Sequence, residues 1–180
     1  MDAESTSNSK AALKVVSKRM LKDSSGREGT FTGTVDDSNG LNMPHGHGFM
    51  TYNRSTSSDL LSASNRSMTY QGDFQQGAWH GFGLVEYSNG DTFEGNFVDS
   101  KKNGFGTYRW KDGRVYRGDW LDDQRQGQGI YEWNKVTKYV GDFEQGQRHG
   151  EGEYYFPGGH YKGTFVRGSY HGYGECESDG

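Results

Sequence analysis

The sequence predicts an all-β protein built from tandem two-stranded hairpins, and three observations predict it. Aromatic residues recur at a fixed interval, at Phe31, Tyr70, Phe93, Tyr116, Tyr139 and Tyr161, with steps of 23, 23, 23 and 22 residues from Tyr70 onward. Beside each, glycine and large apolar residues alternate with polar ones at a period of two, the signature of one face of a strand. Short polar stretches containing Gly, Asn or Asp separate these runs, as turns do. A period of roughly 20–50 residues marks a repeat array, in which each unit buries its apolar face against its neighbours.

Composition by itself points elsewhere. The 180-residue chain carries a net charge of −4, and its mean hydropathy of −1.02 would suit a disordered polymer. Aromatics nevertheless make up 14% of the chain. Their regular placement, which disordered segments rarely show, decides for order in most of it.

Each unit opens on a first strand. Two positions after the leading aromatic comes Gly33, Gly72, Gly95, Gly118, Gly141 or Gly163. Two further on is Val35, Phe74, Phe97, Trp120, Phe143 or Phe165. The second strand is a Gly-x-Gly followed by an apolar pair, as in Gly81, Gly83, Val85 and Tyr87, or Gly46, Gly48, Met50 and Tyr52. A polar turn such as "QQGAWH" or "DSKKN" joins the two strands, and "SNGD" or "KDGR" leads to the next unit. Asn-Gly and Asp-Gly supply the positive φ of tight hairpins.

Glycine normally weakens a strand, and close approach by another group is a recognised compensation. An aromatic ring laid over a glycine fits the pattern. Each ring then buries about 150–250 Å², an upper bound of about 4–6 kcal/mol. A lone hairpin is marginal in water, whereas stacked hairpins share such columns.

The pattern resembles the MORN (membrane occupation and recognition nexus) repeat, whose units read close to Tyr-x-Gly-x-Trp, a polar stretch ending His-Gly-x-Gly, and an aromatic. The fullest matches are "YQGDFQQGAWHGFG", "YVGDFEQGQRHGEG" and "YKGTFVRGSYHGYG", and the resemblance covers residues 31–180 as six units starting at 31, 70, 93, 116, 139 and 161. It implies an elongated, twisted antiparallel β-ribbon, roughly 50–60 Å long at ~4.8 Å per strand. Three departures stand out. An insertion follows the first unit, Val136 replaces a turn glycine, and the sixth unit lacks its last aromatic near Glu177–Ser178. The last implies a capping unit or a chain cut within the array.

Residues 1–30 differ in character and are expected to be a polar, basic tail. "KAALKVVSKRMLK" has Lys10, Lys14, Lys18, Arg19 and Lys22 without an acid, and Leu13, Val16 and Met20 at helical spacing. It reads as a basic amphipathic helix for an anionic membrane or a partner's groove, as a helix covering the first strand, or as a frayed tail. The serine-rich insertion 53–69 reads as a surface loop. Within it Ser55 and Ser67, each after Arg, are candidates for phosphorylation.

No active site is visible. His45, His80, His149 and His171 precede the first Gly of a Gly-x-Gly, but Asn103 and Gln126 fill the same slot, so it asks for a hydrogen-bonding group rather than a catalyst. Histidines on successive units stand about 10 Å apart, too far to share a metal ion. Cys176 and His171 lack an orienting carboxylate, and nothing helical follows the Gly-x-Gly pairs to make a phosphate cradle. No catalytic residue, metal ligand or cofactor is therefore assigned. Residues 70–180 hold 12 basic and 17 acidic residues, the wrong balance for nucleic acid.

The lone Cys176 suits a reducing compartment, and no apolar run reaches the roughly 18 residues that cross a bilayer. With no secretory leader in residues 1–20, the sequons at Asn53 and Asn65 read as silent. A cytoplasmic protein, peripheral to membrane or cytoskeleton, is the expectation.

Strand alternation places Phe49, Phe82, Leu84, Phe105 and Ile130 opposite the Gly/aromatic columns, with Val98, Leu121, Val140 and Val166 from the first strands. Such a stripe marks an interaction surface or is covered by residues 1–30, the serine loop or a second copy. The grooved aromatic face is a second candidate. The resemblance implies a scaffold or adaptor for a partner helix or peptide. The alternatives are the regulatory part of a larger enzyme, of lipid kinase or SET-domain methyltransferase type, and binding of phospholipid headgroups through residues 10–22. Self-association through free strand edges is also open.

Overall fold

The computed structural model describes residues 13–53 and 67–178. Thirteen strands account for most of them: β1 (Leu13–Lys22), β2 (Glu28–Asp36), β3 (Met43–Tyr52), β4 (Thr69–Gln75), β5 (Ala78–Glu86), β6 (Thr92–Val98), β7 (Lys101–Arg109), β8 (Val115–Leu121), β9 (Gln124–Glu132), β10 (Lys138–Glu144), β11 (Gln147–Phe156), β12 (Gly159–Val166) and β13 (Ser169–Ser178). They form one antiparallel sheet in which the spatial order of the strands is their chain order. The result is the all-β ribbon of tandem hairpins expected from the repeat, with no helix among the described residues.

Glycine lines up across this sheet. Gly33, Gly48, Gly72, Gly83, Gly95, Gly106, Gly118, Gly129, Gly141, Gly152, Gly163 and Gly174 come one from each strand β2 to β13, each paired with the next. The leading aromatic of each unit lies over this row. A Cβ on Gly106 would stand 2.6 Å from Phe93 Cε2, and one on Gly163 would stand 2.5 Å from Tyr161 Oη. The row exists because rings occupy the space where side chains would be.

The first glycine of each Gly-x-Gly has a different reason. Gly46, Gly81, Gly104, Gly127, Gly150 and Gly172 all have φ between 57° and 90°. Around them the pairing within the hairpin slips, as between Gly72 and Asp73. These are β-bulges, where one strand carries an extra residue and glycine supplies the left-handed conformation. A Cβ on Gly81 would come no closer than 3.2 Å to Asp73 Oδ2. Backbone conformation, not packing, selects glycine there.

The turns also divide into two kinds. Gln76-Gly77, Asp99-Ser100, Asp122-Asp123, Gln145-Gly146 and Arg167-Gly168 have positive φ at both positions, the type I′ geometry that matches the twist of a hairpin. Asn-Gly and Asp-Gly supply positive φ as expected, 93° at Gly90 and 95° at Gly113, but not in these two-residue turns. They sit in longer connections, Tyr87–Asp91 and Trp110–Arg114, where Gly90 N donates to Tyr87 O and Gly113 N to Trp110 O. At the position where Val136 replaces glycine, Asn134 Oδ1 accepts from Val136 N and Thr137 N and holds the turn instead.

A second correction concerns the N-terminus. Residues 13–22 do not form an amphipathic helix; they pair with β2 as the edge strand β1. The pairing slips between Val16 and Arg19, and Lys18 has φ 48°. This bulge breaks the period of two and turns Val16 and Leu21 inward, while Leu13 and Met20, expected to share a helical face with Val16, are exposed. Val16 packs against the core, and β-branched Val15 and Val16 suit a strand better than a helix. The ordered sheet thus starts before Phe31.

Candidate docking surface

The sheet has two faces of opposite character. On one, Phe31, Tyr70, Phe93, Tyr116, Tyr139 and Phe165 are completely buried although no second layer among the described residues covers them. They bury one another. Tyr116 meets Trp120 and Phe143 edge-on at 5.2 and 5.0 Å, and Tyr139 meets Phe143 and Phe165 at 5.2 and 4.9 Å. Such edge-to-face contacts are favoured by the ring quadrupole. Tyr87, one of the residues expected in the repeat core, stacks on Tyr108 at 5.8 Å.

A third group completes each ring's enclosure, and sequence reading missed it. From the second unit on, the second residue of the second strand lies on top of the leading ring. Trp79 stacks on Tyr70 at 4.6 Å and Tyr170 covers Tyr161 at 4.2 Å. The same slot places Lys102 over Phe93, Arg125 over Tyr116 and Arg148 over Tyr139, at 5.6, 5.7 and 5.7 Å. These cation–π contacts were legible only as a slot shared by Trp, Lys, Arg and Tyr, whose common property is a flat or long apolar body.

The turns tie neighbouring units together through the same slot. Gly77 N donates to Pro44 O, Ser100 N to Trp79 O, Asp123 N to Lys102 O, Gly146 N to Arg125 O and Gly168 N to Arg148 O. Asp91 is a further anchor. It accepts from Tyr108 Oη, Lys111 N and Asn89 Nδ2. Burial acts to raise this carboxyl, but those three hydrogen bonds outweigh it and hold Asp91 below the usual range.

The opposite face carries the apolar residues expected of an interaction stripe. Phe82 and Phe105 are 57% and 60% exposed, and Phe49, Leu84 and Ile130 are also exposed. Phe82 and Leu84 share β5. Ile130 pairs directly with half-buried Val140. The stripe is interrupted, since Asn96 lies opposite Phe82, Asp119 opposite Phe105, and Arg117 opposite Ile130. Val98 and Leu121 lie apart from it, beside the turns at the ends of β6 and β8.

The basic residues of the tail do not gather on one face. Lys14 and Lys18 are exposed on β1, Lys18 at the bulge. Arg19 bonds Asn42 Oδ1 at 3.2 Å and Lys22 pairs with Glu28 at 3.1 Å. Lys10 lies outside the described residues, as do Ser55 and Asn65. The histidine slot is less uniform than its spacing suggested. His149 pairs with Glu144 at 3.2 Å, whereas Nδ1 of His45 and of His80 is buried without a protein partner. Exposed Cys176 and His171 pair with Tyr161 and Thr164 of β12, a separation of roughly 10 Å along the strand, beyond reach of direct proton transfer. Among the described residues no group of three or more His, Cys, Asp or Glu is placed to hold a metal ion.

Comparison with known proteins places this geometry. The family model for the MORN repeat matches six segments, residues 41–56, 70–92, 93–113, 116–135, 139–160 and 161–179. A search of curated proteins returns no match.

Proposed function

Because the chain belongs to the MORN repeat family, we propose that it is a non-enzymatic scaffold that docks a partner protein on the ribbon face opposite the rings. One observation carries this reading. Phe82 and Phe105 expose more than half of their surface on a face that no other described element covers. Phe82 shares its strand face with Leu84, and exposed apolar groups rimmed by charge favour protein contact. A single-layer ribbon also suits this role, because it presents a long surface for little chain.

The test compares affinity capture by the wild type and by a Phe82→Asp, Phe105→Asp double variant, matched for folding by circular dichroism. The proposal expects a defined set of captured proteins to disappear with the double variant. An unchanged set would exclude this face as the docking surface.

A further inference from the structure

The geometry of the ring face points to a second docking site, and we propose that carboxylates of an acidic peptide segment on a partner protein bind Arg125, Arg148 and Arg167. This goes beyond the reading of the opposite face and does not depend on it.

The repeat itself supplies the comparison. Lys102 occupies the ring-covering slot of its unit, and the next turn gives it a carboxylate: Asp123 Oδ1 accepts from Lys102 Nζ at 2.6 Å and from Lys102 N at 3.0 Å. Arg125 and Arg148 occupy the same slot one and two units later. At the position of Asp123 they meet Gly146 and Gly168, whose backbone carbonyls accept from their guanidinium groups. A neutral carbonyl stands where the sister unit has a charge. Neither arginine, nor Arg167 in the last turn, takes part in any ion pair among the described residues.

These three cations line one shallow cleft with Tyr131 and Trp133. Burial of its charge holds the Arg125 guanidinium below its ordinary range, and no carboxylate offsets that cost. Each guanidinium has five N–H donors in a planar fork, so several remain for a carboxylate after one bonds a turn carbonyl. The ligand chemistry follows from spacing. Arg125 on β9 and Arg148 on β11 are two strands apart, and each guanidinium is held on the carbonyl of a separate turn, Gly146 O or Gly168 O, so the two forks stay roughly 10 Å apart and do not converge on one phosphate. Acidic side chains spread along a peptide can meet both, with Trp133 between them as an apolar rest. On a chain of net charge −4, a patch of unpaired arginines is a local feature rather than a general basic character.

The test uses the full chain and a fluorescein-labelled oligoglutamate peptide, followed by fluorescence anisotropy, with oligolysine as the reverse probe. Arg125→Met and Arg148→Met keep the stem over the rings and remove the charge. Arg167→Asp alters an exposed turn residue whose left-handed backbone Asp tolerates, so one variant stays informative if the other two fail to fold. Lys101→Met removes an equal charge at a cation already paired with Asp122. The expected result is binding of oligoglutamate alone, weakened about tenfold by each arginine variant and changed by less than about twofold by Lys101→Met. Phe82→Asp with Phe105→Asp is expected to leave it intact, which separates this site from the opposite face. The proposal is overturned if wild type does not bind, or if Lys101→Met acts like the arginine variants. It is equally overturned if inorganic phosphate competes as well as the peptide, or if only phosphatidylserine vesicles bind.

Discussion

The Tyr70 ring lies across Gly83 of the adjoining strand so closely that a Cβ there would stand 2.6 Å from its Cε2 and from its Oη. The ring has nowhere else to go. Trp79 stacks on it at 4.6 Å with planes 5° apart, and Phe74 and Phe97 meet it edge-on at 4.9 and 5.5 Å. Glycine below, aromatics beside and a flat or long side chain above enclose it fully, which is how a single layer acquires a core. Repeated along the ribbon, this enclosure makes each unit depend on its neighbours, as in other repeat arrays.

The hydroxyl of that ring is a smaller contributor. Tyr70 Oη donates to Asp73 O at 2.8 Å, and Tyr116 and Tyr139 make the equivalent bond to Asp119 O and Asp142 O at 3.0 Å. Phe31 and Phe93 fill the same slot without a hydroxyl. Tyr70→Phe should therefore fold normally and lose about 1 kcal/mol in urea unfolding. A loss as large as that of removing the whole ring would contradict this.

The latch between Lys102 and Asp123 should show measurable coupling. Only 13% of the Lys102 side chain is exposed, against 48% for Asp123, so solvent screens the pair incompletely. Asp123→Asn keeps an acceptor for Lys102 N but removes the charge. It should cost about 0.5–1 kcal/mol in the wild type and nearly nothing in a Lys102→Met background. Equal cost in both backgrounds would show that the charge pair is not what links these units.

Alkaline pH should loosen the ribbon. Burial, and after it the nearby Asp142 charge, push Tyr139 from 10.0 up to about 12. Burial likewise raises Tyr52, Tyr70 and Tyr116. A folded-state pKa above the unfolded one means that the native chain holds its phenolic protons more tightly. That contribution is complete below the unfolded value and drains away as pH rises through the folded values. The urea midpoint should stay level to about pH 9 and fall steadily above it, with phenolate absorbance rising as far-ultraviolet dichroism is lost. A midpoint that stays constant while the buried phenols ionise would contradict this.

How far the sequence spoke depended on how many residues carried each feature. The hairpins and the ring-bearing columns were legible because Phe31, Tyr70, Phe93 and their successors repeat one spacing, and each unit confirms the last. The two roles of Gly-x-Gly were not separable, since Gly81 and Gly83 look alike in a strand of period two, and only the positive φ at Gly81 distinguishes them. Strand β1 was misread because the bulge at Lys18 shifts Val16 and Leu21 out of alternation. The exposure of Phe49, Phe82, Leu84, Phe105 and Ile130 was legible from alternation, but not the separation of Val98 and Leu121 from them or the interruption by Asn96, Asp119 and Arg117, which depends on register between strands. The cations over the rings were hidden in a slot that Trp79 and Tyr170 also fill, so no charge pattern announced them.

Urea unfolding of Gly83→Ala beside Gly81→Ala tests the role of the rings most directly. Both substitutions add one methyl to the same Gly-x-Gly, but only at Gly83 does that methyl enter the Tyr70 ring, while at Gly81 it mainly meets a φ of +60°. Enclosure of the ring predicts a loss of about 3 kcal/mol at Gly83 against about 1 kcal/mol at Gly81. Equal losses, or a milder one at Gly83, would mean that the glycine row is not there to seat the rings.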